Sequence, residues 1–456
     1  MRSEFKLVDI PACAKRLMQL LEKAEYDAYV VGGCVRDSIL DFMPNDWDIC
    51  TNAKPEVVCE LLRNWGIRVI ETGLQHGTVT AHYGVNSYEI TTFRIDGEYS
   101  DNRRPDRVEF VGDIIEDLGR RDFTINAMAY NDTYGLVDPW NGSCDLNLGL
   151  IRCVRNPDDR FREDALRIMR ALRFAATYGF RIEEKTAAAI HRNKDLLKNI
   201  SAERIQSELC KMLCGDGVLN VLLEYKDVMA VIIPELEPCI GFEQNNPYHI
   251  YDVYDHIAHA VASDKGNDIS IKMALLLHDI GKPECYSVDT IDGVTGHFYG
   301  HAVPSARIAK DVMDRFKFDN KTKAEVVDLV SCHDAFIRPS FKAVKRWMNK
   351  IGHDLFEKFL SVRLADISAQ STINQASRID KCYKISDIAN TIVAQHQCCS
   401  LKDLMINGYA IMELDVESGP IIGKVLNHLL DRVIDGSIPN DFDALFEEAK
   451  RYLKGE

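Results

Sequence analysis

Asp46 and Asp48 stand one residue apart, a short way beyond the pair Gly32-Gly33. On an extended segment alternate side chains share a face, so two aspartates at this spacing can offer oxygens to one hard divalent cation. Glycines let backbone N–H groups approach a phosphate. A metal between carboxylates beside a glycine turn is an arrangement for phosphoryl transfer. Taken alone, the same residues also describe a turn followed by a solvated acidic edge.

The elements that must position them lie on either side. The apolar run Ala28 to Val31 predicts a strand feeding the glycine pair, with a helix opening at Val35, and Asp46-Trp47-Asp48-Ile49 reads as a second strand. Upstream, Ala14, Leu17, Met18 and Leu21 recur at helical spacing within residues 11–25. Downstream, Thr51 is placed to cap a helix with Pro55 in its first turn. Residues 68–71, 78–82 and 87–93, separated by Gly73, Gly77 and Gly84, predict a small mixed sheet. Glu89 on the last of these is a candidate third carboxylate, an edge residue facing water being the alternative. Residues 95–107 are polar and charged, with Gly97 and Pro105, and predict a mobile loop.

Two further stretches carry chemistry. In Arg120-Arg121-Asp122-Phe123-Thr124-Ile125-Asn126-Ala127, a turn into a short helix is expected. Asp122, Thr124 and Asn126 can offer oxygens to ribose hydroxyls there, and Arg121 can pair with a phosphate. In Glu163-Asp164-Ala165-Leu166-Arg167, Asp164 and Arg167 are three apart and predict one helix face, continued by Arg170 and Arg173. An acceptor beside a donor fork suits the Watson-Crick edges of cytosine and adenine, and a plain salt bridge is the structural alternative.

Taken with Gly32 to Asp37 and Asp46 to Ile49, these motifs resemble, in order, the signatures of class II tRNA nucleotidyltransferases. Those are the CCA-adding enzymes of the polymerase β superfamily, relatives of bacterial poly(A) polymerases. The resemblance implies an α+β fold: a mixed-sheet nucleotidyltransferase head (1–148), a helical neck (149–240), an HD body (241–370) and a helical, tRNA-binding tail (371–456). It implies that Asp46 and Asp48, with Glu89, hold Mg²⁺ and that Gly32, Gly33 and Arg36 touch the triphosphate. Arg121, Asp122 and Asn126 would meet the nucleotide. Asp164 and Arg167, with Arg170 and Arg173 nearby, would select CTP or ATP for addition to the tRNA 3′ end. The loop at 95–107 favours full CCA or A addition over CC addition alone. An A-adding enzyme or poly(A) polymerase would use the same residues.

A second constellation follows. Leu275-Leu276-Leu277-His278-Asp279-Ile280-Gly281 reads as an apolar helix ending in adjacent His and Asp, with Gly281 as its stop. With His256 before it and Asp366 after, it resembles the HD-domain metal-dependent phosphohydrolases. The resemblance implies a divalent transition metal on His256, His278, Asp279 and Asp366, and His301 and His333 can enlarge the site or meet a phosphate. A helical body that keeps the fold without the activity is the alternative, and a phosphohydrolase with an RNA-binding head is the rival reading of the whole chain.

Bulk properties are compatible with both. At 456 residues the chain has room for several domains, and 46% hydrophobic with 27% charged residues is ordinary for a soluble protein. No long apolar run or signal-peptide pattern occurs, so no membrane partner and a cytoplasmic location are expected. The 14 cysteines are scattered and expected to be reduced. A net charge of −15 argues against tight non-specific binding to nucleic acid, whereas arginines crowding between Arg152 and Arg181 leave room for a local basic cleft.

Overall fold

The computed structural model describes residues 8–97, 108–289, 291 and 293–455. Most of the expected 95–107 loop therefore lies outside the described residues. The chain divides into two compact units, Met1–Pro234 and Glu235–Glu456.

The first unit opens with α1 (Ala12–Lys23), β1 (Ala28–Val31), α2 (Gly33–Ile39), β2 (Ile49–Thr51) and α3 (Pro55–Asn64). It continues through β3 (Arg68–Gly73), β4 (Thr78–Tyr83), β5 (Asn86–Thr92), β6 (Arg94–Asp96), β7 (Val108–Phe110), α4 (Ile114–Gly119), β8 (Ala129–Asn131) and β9 (Gly135–Val137). A seven-stranded sheet runs in the order β3-β4-β5-β2-β1-β8-β9. Only β2 and β5 pair in parallel, so the sheet is mixed, as expected. Its central strands are apolar because both faces are covered: all four residues of β1 are buried, and Tyr29, Val31, Cys50, Phe93 and Ala129 form a core with Ile114, Leu118 and Val154.

Helices complete this unit: α5 (Gly142–Leu148), α6 (Pro157–Glu163), α7 (Leu166–Tyr178), α8 (Glu184–Asn193), α9 (Ala202–Leu213), α10 (Val218–Glu224) and α11 (Lys226–Ile232). The second unit carries α12 (Val253–Ser263), α13 (Ile269–Leu277), α14 (Ala302–Arg315), α15 (Asn320–Cys332), α16 (Phe341–Ile351), α17 (His353–Ser368) and α18 (Gln375–Ala394). Then come α19 (Gly408–Met412), α20 (Pro420–Ile434) and α21 (Phe442–Lys454), joined around Ile411, Val425, Leu429 and Leu445. Residues Ser270 to Leu277 of α13 are all buried, because the helix packs against α12, α15 and α17, and its buried Lys272 is satisfied by the Val261 carbonyl at 3.2 Å and Asp264 at 3.0 Å. Among the described residues no helix is long and apolar enough to cross a membrane.

Several local expectations change. The strand carrying the aspartates begins only at Ile49: the ladder forms where side chains are apolar and buried, while exposed Asp46 and half-buried Asp48 stay in its lead-in. Lys54, not Thr51, precedes α3, and the Thr51 hydroxyl instead accepts from the Ala53 N–H at 3.2 Å. Ile95 and Asp96, expected to open the loop, belong instead to the strand 94–96, which pairs with 108–110. The motif at 120–127 ends in a single 3₁₀ turn, Thr124–Asn126, before an unforeseen hairpin of β8 and β9. Asp164 does not share a helix with Arg167. It leaves α6 with φ −136° and ψ 103°, and α7 starts afresh at Leu166. Gly281 has φ −87°, so it is no left-handed stop; a Cβ there would lie 2.5 Å from the Ser305 nitrogen, and close packing is its role.

Candidate active site

Sheet register sets two of the carboxylates side by side. Ile49 of β2 pairs in parallel with Ile90 of β5, so the residues one step earlier, Asp48 and Glu89, are neighbours. Alternation along β5 buries Tyr88 and Ile90 and turns Glu89 outward. Burial, then the like charge of Asp46, pushes the Asp48 carboxyl up to about 6; Arg121 opposes the rise and Glu89 adds to it. Three carboxylates thus share one field, with Asp48 short of solvent.

Gly32 supplies the turn. Its φ of +79° and ψ of −121° suit glycine, and a Cβ would lie 2.9 Å from Arg121 Nη1. The Gly32 N–H donates to the Met128 carbonyl at 3.0 Å, tying the turn to the segment that carries Asp122 and Asn126. Gly33 then begins α2. Arg121 pairs with Asp117 at 3.4 Å, and its Nε is buried without a hydrogen-bond partner among the described residues.

The other expected nucleotide contacts hold one another. Arg36 is buried; it binds Asp37 through Nε at 2.8 Å and Nη2 at 3.0 Å, reaches Asn126 Oδ1, and packs over the Phe174 and Tyr178 rings. The Asn126 amide donates to Asp122 Oδ1 at 3.0 Å, and Arg170 donates to Asp122 Oδ2. Tyr178 closes the chain by donating to Asp37 at 2.9 Å. Thr124 departs from expectation: its hydroxyl donates to Asp145 at 2.6 Å in the interior, away from a ribose role. Asp164 is held by Arg204 at 3.0 Å, and Arg167 by Glu163 at 2.6 Å. Arg173 meets Glu208 at 2.5 Å.

Glu208 and Asp117 were missed in the sequence. Glu208 is buried on the apolar face of α9 between Ile205, Leu209 and Met212, and that misplaced charge was the available signal for a partner to the arginines. Asp117 is buried beside Arg120 and Arg121.

In the second unit the expected residues converge. His256 Nε2 lies 3.2 Å from Asp279 Oδ2 and 3.1 Å from Asp366 Oδ1; His278 Nε2 lies 3.3 Å from Asp279 Oδ2. His301 and His333 join them, with Nε2 atoms 3.1 and 3.5 Å from Asp279 Oδ1. A cavity of about 280 Å³ opens onto this cluster, lined in part by His249, Lys282, His297 and Gln370. His249 was also unforeseen: burial, then the Lys282 charge, lowers its imidazole to about 3.

A mixed sheet presenting clustered carboxylates beside a glycine turn, continued into arginine-lined helices, places the first unit among the nucleotidyltransferases. Residues 28–152 match the family described as the poly A polymerase head domain, 179–240 the "Probable RNA and SrmB- binding site of polymerase A", and 303–449 "tRNA nucleotidyltransferase domain 2 putative". A CCA-adding enzyme of Lactobacillus helveticus is 52% identical over 210 residues, which is 46% of this chain and about half, 52%, of that protein's length. One from Limosilactobacillus fermentum is 32% identical over 97% of both chains. The crystal structure of the Bacillus stearothermophilus CCA-adding enzyme in complex with CTP superposes over 97% of both chains, with a TM-score of 0.71 and 26% identity. The chain belongs to the CCA-adding enzyme family.

Proposed function

We propose that the protein adds C, C and A to the 3′ end of tRNA from CTP and ATP, without a nucleic-acid template, in the cytoplasm. The observation that carries the reading is the parallel register that sets Asp48 beside Glu89, with Asp46 one residue away. These three carboxylates fit Mg²⁺, a hard cation that takes oxygen ligands. The ion would supply activation of the attacking 3′-hydroxyl and stabilisation of the pyrophosphate leaving group.

The chain's own residues orient the reactants. The unpartnered Nε of Arg121, beside the Gly32 turn, suits a phosphate oxygen. Gly32, Gly33 and Arg36 flank the same place, and Asp122 and Asn126 bring oxygens next to it. Asp164 and Arg167 offer an acceptor and a donor fork for the base, with Arg170 and Arg173 supporting the wall behind them. In this reading residues 1–148 are the head, 149–240 the neck, 241–370 an HD body and 371–456 a tRNA-binding tail.

The test is extension of a tRNA transcript lacking CCA, with Mg²⁺ and CTP, ATP or both. Growth by CC with CTP alone and by one A once ATP is added is expected. Single-A addition confined to tRNA ending in CC would make it an A-adding enzyme, and long A tracts a poly(A) polymerase.

A second reading concerns the other unit. His256, His278, Asp279 and Asp366 are an imidazole and carboxylate set that fits a divalent transition ion, as in HD-domain phosphohydrolases. Hydrolysis of a phosphate ester, lost in His278→Ala while CCA addition persists, is the expected outcome.

A further inference from the structure

On α17 and α18 positive charges stand among hydrocarbon. Leu360, Arg363 and Ile367 recur at i, i+3 and i+7 along α17, and Arg378, Lys381, Cys382 and Ile385 at i, i+3, i+4 and i+7 along α18. The two helices pack on each other, and these residues, with Ile337 and Phe359, line a cavity of about 210 Å³. An amphipathic helix ordinarily keeps its charges on the face opposite its apolar stripe. Here three cations share that stripe.

None of the three is matched by a negative charge. Arg363 Nη1 donates to the His333 carbonyl at 2.9 Å and Arg378 Nη2 to the Gln370 side-chain oxygen, both neutral acceptors. Among the described residues no ion pair joins Arg363, Arg378 or Lys381 to a carboxylate, whereas their neighbours on the same helices are matched, Lys358 with Glu325 at 2.6 Å and Lys384 with Asp380 at 2.7 Å. Burial lowers the half-buried Arg378 guanidinium; Asp366 opposes the fall and Arg363 adds to it. The same field reaches buried Cys382, whose thiol burial raises and Arg363, then Arg378, pull back. A cavity lined by one sign of charge between apolar walls concentrates the opposite charge.

The wall sets the rest of the ligand. Ile337, Phe359, Leu360, Ile367 and Ile385 offer hydrocarbon, and apart from the Cys382 thiol the polar side chains of the cavity are the three cations. A nucleobase or sugar held there would leave its hydrogen-bonding edge unpaired. We infer that this cavity binds a small carboxylate with a hydrocarbon body, such as a single-chain fatty acid, its carboxylate on Arg363, Arg378 and Lys381 and its chain along the apolar wall. Guanidinium forks hold a carboxylate through two parallel N–H bonds. Lys381 and Phe336, both exposed, mark the side of entry. None of these residues lines the cavity at the histidine cluster, and the inference rests on neither reading above.

The experiment titrates the full chain with decanoate by isothermal calorimetry, with decanol as the uncharged chain of the same length. One decanoate per chain is expected, with decanol at least about tenfold weaker. Arg378→Met and Lys381→Glu should each weaken decanoate about tenfold. Lys381 is exposed, so its replacement spares the fold, which circular dichroism checks in both variants. Decanoate should also slow alkylation of Cys382, followed by peptide mass spectrometry. Equal affinity for decanoate and decanol, indifference to Lys381→Glu, or no saturable uptake would overturn the inference. So would loss of tRNA binding in Lys381→Glu with decanoate unbound by the wild type, the cations then being contacts for nucleic-acid phosphates.

Discussion

Arg170 sets two nitrogens, Nε at 2.8 Å and Nη2 at 2.7 Å, on a single oxygen of Asp122, joining α7 to the turn that follows α4. Asp122 is 8% exposed, so its charge depends on that partner. Arg170→Met should destabilise the protein by about 3 kcal/mol, because a buried carboxylate is left uncompensated. Denaturant unfolding of the first unit measures it; a change near zero would show that Asp122 is solvated.

The same pair makes a pH prediction. Burial pushes the Asp122 carboxyl up, but Arg170, the Asn126 amide and Arg167 outweigh it and hold it well below its ordinary 3.8. As pH falls below 3.8 the unfolded chain takes up the proton first, so the contribution, complete above that value, is lost progressively toward lower pH. Asp122→Asn should therefore unfold with a shallower acid dependence below about pH 4.

Asp48 behaves oppositely. Its carboxyl is raised to about 6, so above that pH the folded protein holds a charge it resists. Asp48→Asn should lower nucleotide addition by at least about 10³-fold, roughly 4 kcal/mol in the barrier. It should nevertheless melt no lower than wild type at about pH 8, without added metal. Loss of activity together with early melting would make Asp48 a structural residue.

Gly32→Ala forces a side chain onto a backbone that favours glycine, into Arg121 Nη1. A stability loss of about 2 kcal/mol is expected. Displacement of Arg121 should also raise KM for both CTP and ATP, measured by steady-state addition. Unchanged KM values would remove Arg121 from the nucleotide site.

Arg204 orients Asp164 at 3.0 Å, from a helix other than those Asp164 joins. Arg204→Met should leave Asp164 unconstrained and lower kcat/KM for CTP and ATP about tenfold, with misincorporation of UTP or GTP rising. That is the scale of a lost base-specific contact. Equal loss for every nucleotide would mean that Arg204 supports the fold alone.

The sheet was legible because its strands are short apolar or alternating runs between glycines, and Gly32 because few other residues fit its backbone. The β8–β9 hairpin was not, since Ala129–Asn131 and Gly135–Val137 are three-residue strands whose pairing comes from β1. The aspartates were expected on a strand and stand instead in its lead-in, because their side chains disfavour the ladder that Ile49 enters. Helical spacing suggested that Asp164 and Arg167 share a face; the chain breaks at Asp164 because its carboxylate accepts from the Leu166 N–H and starts α7. His256, His278, His301 and His333 stand far apart in sequence, and no local pattern foretold that their Nδ1 atoms would all find carbonyls.

The run from Arg170 through Asp122, Asn126, Arg36 and Asp37 to Tyr178 satisfies its donors and acceptors from within. On the proposed function, a nucleotide entering among them would take up the unpartnered Arg121 Nε but compete with these internal bonds for the remaining groups. A ligand that broke these native bonds without replacing them would forfeit them, so under that proposal discrimination would arise partly from what the protein gives up. The run would then guard the pocket with its own side chains, and selectivity would be a contest between the substrate and the protein's self-complementarity.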